Sequence, residues 1–459
     1  MGLGILRGGI WLDKSRITAD QIGRIKHDLT FENPFEDGQF TLGYRETGQW
    51  LIVPRNYLAS VSDNDTVSAK TSFIVADNFS LRDYQKPACA EILAILSKEH
   101  SVVLTAKTGS GKSYSISYVL AHLQQRVLVL AHLSLLTEQL AKEMQSNTTA
   151  HVVALSSGMK AEDLGDVNIA TFALLTSNPE LLKVLGSTIG CLVIDECESL
   201  VTPTRINILY SLAPKYLISM SATPTKELVK QTPLLRYFIG NKVVTMEPSE
   251  ESVVPVYYLM LDYTRLSWSS PTNPKLYKAM LGSFYRRSKI LEDVIEMVSE
   301  LLSYTTDGCI WIIVDRNSLQ SLVAKDLAAR GIAAGIINAR TTKKGRRDVL
   351  SGIQDGSIRV LISSAPMSAG VSVPEMFVGI RILPHTSSDE TLEQQVGRLK
   401  RAITFKKQYP PVWIDFAISG SLEFGGKKRF KRYKQWGPTQ FLKPDKALIA
   451  IKNLWRTNA

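Results

Sequence analysis

The sequence predicts an α/β chain made of two tandem parallel-sheet domains, preceded by a small N-terminal α/β accessory domain. Three observations predict it. Short apolar runs alternate with helix-length stretches from about residue 76 to 245. The same alternation returns from about 250 to 420, and the first 75 residues follow neither pattern. Strands that alternate with helices form parallel sheets covered on both faces, so each strand reads as an unbroken apolar run. The expected division is 1–75, 76–248 and 249–459. A chain of 459 residues needs one, because single cores stop growing at about 250–300 residues.

Each element follows from its local pattern. Residues 17–31 fit an amphipathic helix, and 40–44 and 49–53 fit strands around a turn at Glu46-Thr47-Gly48. Asp63-Asn64-Asp65 and the Ser/Thr/Lys residues after it read as a linker. In the first α/β segment, strands are expected at 101–105, 127–131, 152–155, 167–170, 191–194 and 216–220. In the second they are expected at 309–314, 334–338, 359–363, 379–383 and 412–416, with helices such as 318–330 and 342–354 between them.

Composition excludes several classes. Hydrophobic residues make up 44% of the chain, yet no run of 18 apolar residues occurs, so no membrane span is expected. Residues 1–11 lack the apolar core and cleavage site of a signal peptide. Cys89, Cys191, Cys197 and Cys309 show no C-x-x-C spacing. They read as reduced thiols of a cytoplasmic protein, with neither a zinc site nor a disulfide framework. The net charge of +11 is concentrated at one end: residues 421–459 hold ten Lys and Arg against Glu423 and Asp445. That concentration favours a polyanionic partner.

The chemistry starts at Ala106-Lys107-Thr108-Gly109-Ser110-Gly111-Lys112-Ser113, between an apolar run and a helical one. A strand that ends in a Gly-rich loop and turns into a helix aims backbone N–H groups and the positive helix end at a phosphate. Lys112 can reach the β- and γ-phosphates, and the Ser113 hydroxyl can ligate Mg²⁺. Ala106 stands where the usual motif has its first Gly. The apolar run at 190–194 then ends in Asp195-Glu196-Cys197-Glu198. An Asp at the carboxyl end of a parallel strand can hold Mg²⁺, and Glu196 can polarise a water for attack on the γ-phosphorus.

Further segments fall in a telling order. Gln85, in Leu81-Arg82-Asp83-Tyr84-Gln85, offers a donor and an acceptor that suit the adenine edge. Ser221-Ala222-Thr223-Pro224 follows the strand at 216–220. Gln394-Gln395-Val396-Gly397-Arg398-Leu399-Lys400-Arg401 places two arginines three residues apart, on one face if helical. With these in view the chain resembles the superfamily 2 helicases over residues 78–420. The phosphate loop looks like motif I, Asp195 to Glu198 like motif II, Ser221 to Thr223 like motif III and Gln394 to Arg401 like motif VI. Residues 363–374, which include Gly370, look like motif V. Glu198 and Ser372 depart from the usual residues at their positions. The small N-terminal domain and the Gly370-Val371-Ser372-Val373-Pro374 form look most like phage branch-migration helicases of the UvsW type, similar in activity to RecG.

The resemblance implies two RecA-like domains with MgATP in the cleft between them. Gln85, Thr108, Gly109, Ser110, Gly111, Lys112, Ser113, Gly370 and Gln394 would bind the nucleotide, and Ser113 and Asp195 the metal. Glu196 would orient the water, and Arg398 and Arg401 would complete the site on domain closure. The partner would be branched or forked duplex DNA, and the compartment the cytoplasm, that of a bacterial host if the protein is phage-encoded. Thr171 is a candidate phosphate contact, with a helix N-cap as its plainer reading. His132 reads as packed or capping. Lys427, Lys428, Arg429, Lys431 and Arg432 are candidate nucleic-acid contacts, because cations interleaved with Phe430, Tyr433 and Trp436 suit phosphate neutralisation and base stacking; a solvated face with buried aromatics is the alternative. Rival functions are an RNA helicase and a nucleic-acid scaffold that uses nucleotide only as a conformational ligand.

Overall fold

The strands expected in the two α/β segments each overlap a strand of one of two large sheets. In the computed structural model, residues 4–458 are described except 33–39, 59–60, 62, 107–109, 132–133, 198–199, 201, 223–233, 248–253, 269–282, 286–287, 365–372, 374, 383–388, 401–404 and 421–422. The chain forms two units, Met1–Pro248 and Ser249–Ala459.

The first unit holds a seven-stranded sheet. Its order is Val152–Ala154, Val167–Thr171, Val127–Ala131, Cys191–Ile194, Tyr216–Ser221, Ser101–Ala106 and Val243–Met246, all parallel. Alternate residues serve opposite faces, as the pleat requires. Leu128 and Leu130 join one core cluster, while Val127 and Val129 join the other. Parallel order puts the carboxyl ends of Ser101–Ala106 and Cys191–Ile194 on one edge of the sheet, two strands or about 10 Å apart.

The N-terminal residues pack onto this unit. A five-stranded sheet has the order Arg45–Thr47, Trp50–Val53, Ile10–Asp13, Gly4–Leu6 and Asp63–Asn64. The helix Ala19–Asp28 starts at a capping box of Thr18 and Gln21. Ile10, Leu12 and Leu51 share a cluster with Leu128, Leu192 and Tyr210. At Gly8 the backbone approaches so closely that a Cβ would lie 2.4 Å from the Leu212 carbonyl. The expected linker is a built element instead. Asp63–Asn64 is a strand, Val67 bridges Pro214, Lys70 bridges Gln125 and Val75 bridges Thr148. Its short polar side chains leave the backbone free to pair with neighbouring loops.

The second unit repeats the architecture with a different membership. The order is Ala334–Ile337, Val360–Ser363, Cys309–Ile313, Met376–Arg381, Val412–Gly420, Tyr257–Trp268 and Thr439–Leu442, again all parallel. The basic C-terminal segment is structured: helix Glu423–Trp436, the edge strand Thr439–Leu442 and helix Pro444–Asn458. Among the described residues, no helix is long and apolar enough to cross a membrane.

Candidate functional site

The strand Ser101–Ala106 is buried along its whole length and leads to the phosphate loop. Thr108 and Gly109 lie outside the described residues. Ser110 is buried, and Gly111 caps the helix Lys112–Leu123 in the left-handed conformation, φ +82°. Glycine adopts that conformation without steric penalty, and a Cβ there would meet Gln85 Nε2 at 2.6 Å. The Lys112 ammonium donates to the Ala106 carbonyl at 2.7 Å, across the base of the loop. Ser113, in the first turn of the helix, is half-buried.

Gln85 is buried at the start of the helix Gln85–Glu99. Its Oε1 accepts from Arg82 N at 2.9 Å and its Nε2 donates to the Ser110 carbonyl at 3.3 Å. In place of an open donor–acceptor edge, this side chain braces the loop. Tyr84, which the sequence reading passed over, donates its hydroxyl to the same Ser110 carbonyl at 2.9 Å. Its position beside Gln85 was the available signal.

Asp195 leaves the end of Cys191–Ile194, its N–H donating to the Leu130 carbonyl at 3.0 Å. Its Oδ1 accepts from Glu196 N at 3.1 Å. Glu196 has φ +52°, a conformation that a residue with a Cβ adopts only under local constraint. Both acids are half-buried. Ser221 pairs in register with Thr105 at the same edge. Glu198, Thr223 and His132 lie outside the described residues. A hydroxyl at Ser113 and a carboxylate at Asp195 are hard oxygen donors of the kind Mg²⁺ takes. Lys112 and the left-handed Gly111 at the start of its helix suit a polyphosphate. The residues present therefore fit MgATP.

In the second unit the helix Asp389–Gly397 carries half-buried Gln394 and buried Gln395. Arg398 does not continue that helix. Its N–H bonds to the Gln395 carbonyl, and Leu399 and Lys400 follow with the same three-residue spacing, a tightened turn after Gly397. Arg398 is buried, and Lys406, fully buried, donates to the Leu399 carbonyl at 2.9 Å and supports the turn. Arg401, Gly370 and Ser372 lie outside the described residues. The expectation of two arginines on one helical face is therefore corrected at Arg398, because the helix has ended before it.

Two proposed nucleic-acid contacts are also corrected. Thr171 is buried and caps the helix Phe172–Ser177, its Oγ1 accepting from Leu174 N at 3.1 Å. Arg429 faces the core. Its Nε donates to Asp415 at 2.6 Å, its Nη2 to Asp415 at 3.2 Å and to the Phe416 carbonyl at 3.3 Å. Asp415 also accepts from the Tyr433 hydroxyl at 2.7 Å and lies 3.6 Å from Arg381. Trp413 Nε1 completes the cluster by donating to Tyr433 at 3.0 Å. Burial pushes the Asp415 carboxyl up, but the two guanidiniums and the hydrogen bonds outweigh it and hold it below its ordinary value. Lys428 and Lys431 are exposed, and Arg432 lies partly buried over the Trp436 ring at 6.0 Å. Lys427 lies in the same helix.

A family model matches part of each unit. Residues 78–226 match the family described as Type III restriction enzyme, res subunit, and residues 293–403 match the Helicase conserved C-terminal domain. L396 of Acanthamoeba polyphaga mimivirus, provisionally named an ATP-dependent RNA helicase, is 22% identical over 444 residues, 90% of this chain and 80% of its own. The provisionally named helicase 161L of Invertebrate iridescent virus 6 is 25% identical over 182 residues, 38% of this chain and 40% of its own. Among solved structures, S. cerevisiae Dbp5 bound to RNA and ADP BeF3 is similar, with TM-score 0.58 and 14% identity over 83% of this chain and 99% of its own. A fragment of a type I restriction enzyme HsdR subunit, so named provisionally, from Vibrio vulnificus gives TM-score 0.57 and 15% identity over 79% of this chain and 69% of its own. Both likenesses concern the fold: paired RecA-like parallel-sheet domains.

Proposed function

We propose, from the matches to the Type III restriction enzyme res subunit and to the Helicase conserved C-terminal domain, that the chain is a superfamily 2 helicase that uses ATP with Mg²⁺, and that it is a DNA motor that remodels branched DNA. Its work would be branch migration, fork reversal and Holliday-junction processing in recombination, repair and replication. One observation carries the catalytic half of this reading: Lys112 opens a helix at the same sheet edge from which Asp195 and Glu196 emerge. Lys112 neutralises phosphate charge, Ser113 and Asp195 hold the metal, and Glu196 orients the attacking water. Ser110 and Gly111 line the phosphates, and Thr108, Gly109, Gly370 and Gln394 keep the nucleotide-binding roles that the resemblance implies. Arg398 and Arg401 supply positive charge to the transition state. Bound ATP brings a phosphoanhydride whose cleavage releases the free energy for movement.

The nucleic acid is gripped mainly through phosphates, so binding follows structure more than sequence and weakens steeply with salt. The +11 charge supports this. We place the protein in the cytoplasm, where its four buried thiols stay reduced. A second reading, an RNA helicase, is favoured by the name of L396 and by the RNA in the Dbp5 structure.

Steady-state ATP hydrolysis with matched RNA, single-stranded, duplex and four-way-junction DNA separates these readings. Junction DNA is expected to stimulate turnover most. RNA as the strongest stimulator transfers the assignment to the second reading. Negligible turnover with every polymer overturns the motor itself.

A further inference from the structure

We propose that the outer face of the helix Glu423–Trp436, together with the edge strand Thr439–Leu442, is a second binding site that takes single-stranded polynucleotide, with phosphates on the lysines and a base stacked on Phe441. This rests on the polyanion partner of the reading above and adds where, and in what form, that partner is held.

The helix divides its residues cleanly. Arg429 and Tyr433 turn inward and are tied to Asp415, while Lys428, Lys431 and Lys434 are exposed. The inward bonds fix the rotation of the helix, so the cations are presented without reorganisation. The next turn leads into the edge strand, where Phe441 is 46% exposed. Its ring meets Phe430 edge to face at 5.4 Å, and the Lys434 ammonium lies over the same Phe430 ring at 4.8 Å. One ring thus places a cation and an exposed aromatic side by side, and Lys443 is exposed just beyond the strand.

Charge complementarity selects a polyanion, and the aromatic selects its form. Duplex bases are already stacked on each other and offer Phe441 nothing. An unpaired strand offers a π-face at every nucleotide beside its phosphates.

The test is fluorescence anisotropy of a labelled oligothymidylate and of a duplex of equal length, with the full chain and no nucleotide. Phe441→Ala should weaken oligothymidylate binding about ten-fold, leave the duplex unchanged, and be rescued by Phe441→Trp. Lys428→Glu/Lys431→Glu/Lys434→Glu should lower the slope of log K against log salt by about 2, at about 0.7 per lost phosphate contact. Equal losses on strand and duplex in Phe441→Ala overturn the stacking assignment. Wild-type affinity and slope in both variants overturn the site. A wild-type chain that binds oligothymidylate without hydrolysing ATP breaks the motor reading alone. A chain that hydrolyses ATP on nucleic acid, with both variants binding normally, breaks this proposal alone.

Discussion

Both units build a seven-stranded, all-parallel sheet, yet they place their ionised side chains differently. In the first, Lys112, Asp195 and Glu196 sit half-buried beyond the strand ends, where loops can carry chemistry on a rigid scaffold. In the second, Arg381, Asp415 and Arg429 are at most 2% exposed, two within strands and one on the helix packed over them. In the proposed reading, the first unit uses the charge at its sheet rim for reaction. The other uses charge inside to fasten an added helix. The same strand order thus carries polar residues at its rim in one unit and inside it in the other.

Removing charge at the rim should cost the most activity. Lys112→Ala should reduce ATP turnover about 1,000-fold, worth about 4 kcal/mol of barrier, with nucleic-acid binding retained. Arg398→Ala should keep nucleotide affinity and lose about 100-fold in kcat, since its contact is assigned to the transition state. Normal hydrolysis by either variant removes that residue from the site.

The interior is tested by stability. Asp415→Asn leaves Arg381 and Arg429 without their buried carboxylate and should cost about 3–5 kcal/mol in urea unfolding near neutral pH. A depressed carboxylate stabilises the fold fully above its unfolded value, ordinarily 3.8, and loses that contribution as pH falls through the lower folded value. The gap between wild type and variant should therefore hold from pH 7 to about 5 and narrow below about 4. A gap that is already closed at pH 7 breaks the assignment.

The smallest effect sharpens the loop. Gly111→Ala must take φ +82° and crowd Gln85. About 1–2 kcal/mol of stability should be lost, together with weaker nucleotide binding by equilibrium dialysis. Unchanged values would mean that the loop relaxes freely.

Much of this was legible in the chain. Continuous burial makes a parallel strand read as an apolar run, so 127–131 and 191–194 were found directly. Tyr257–Trp268 was missed because Asp262, Thr264 and Arg265 interrupt its apolar pattern. The carboxylate pair was legible by its place after a strand, but the left-handed backbone of Glu196 has no signature in residue type. Arg429 departs from the expectation because both readings of the basic run keep all of its cations on the outside. Spacing at 429, 433 and 436 would have split it into an inner and an outer face. A lone acid in the run 412–416 was the companion signal.

The carboxylate at position 415 also changes what a deletion would mean. Cutting the chain after Gly420 would not trim a loose cationic tail. It would strip Asp415 of the Arg429 and Tyr433 groups that satisfy it, in the middle of a hydrophobic wall. A shortened protein that fails on its substrate would be reporting a ruptured interior, so the grip of this segment has to be mapped by surface exchanges that leave its anchors in place.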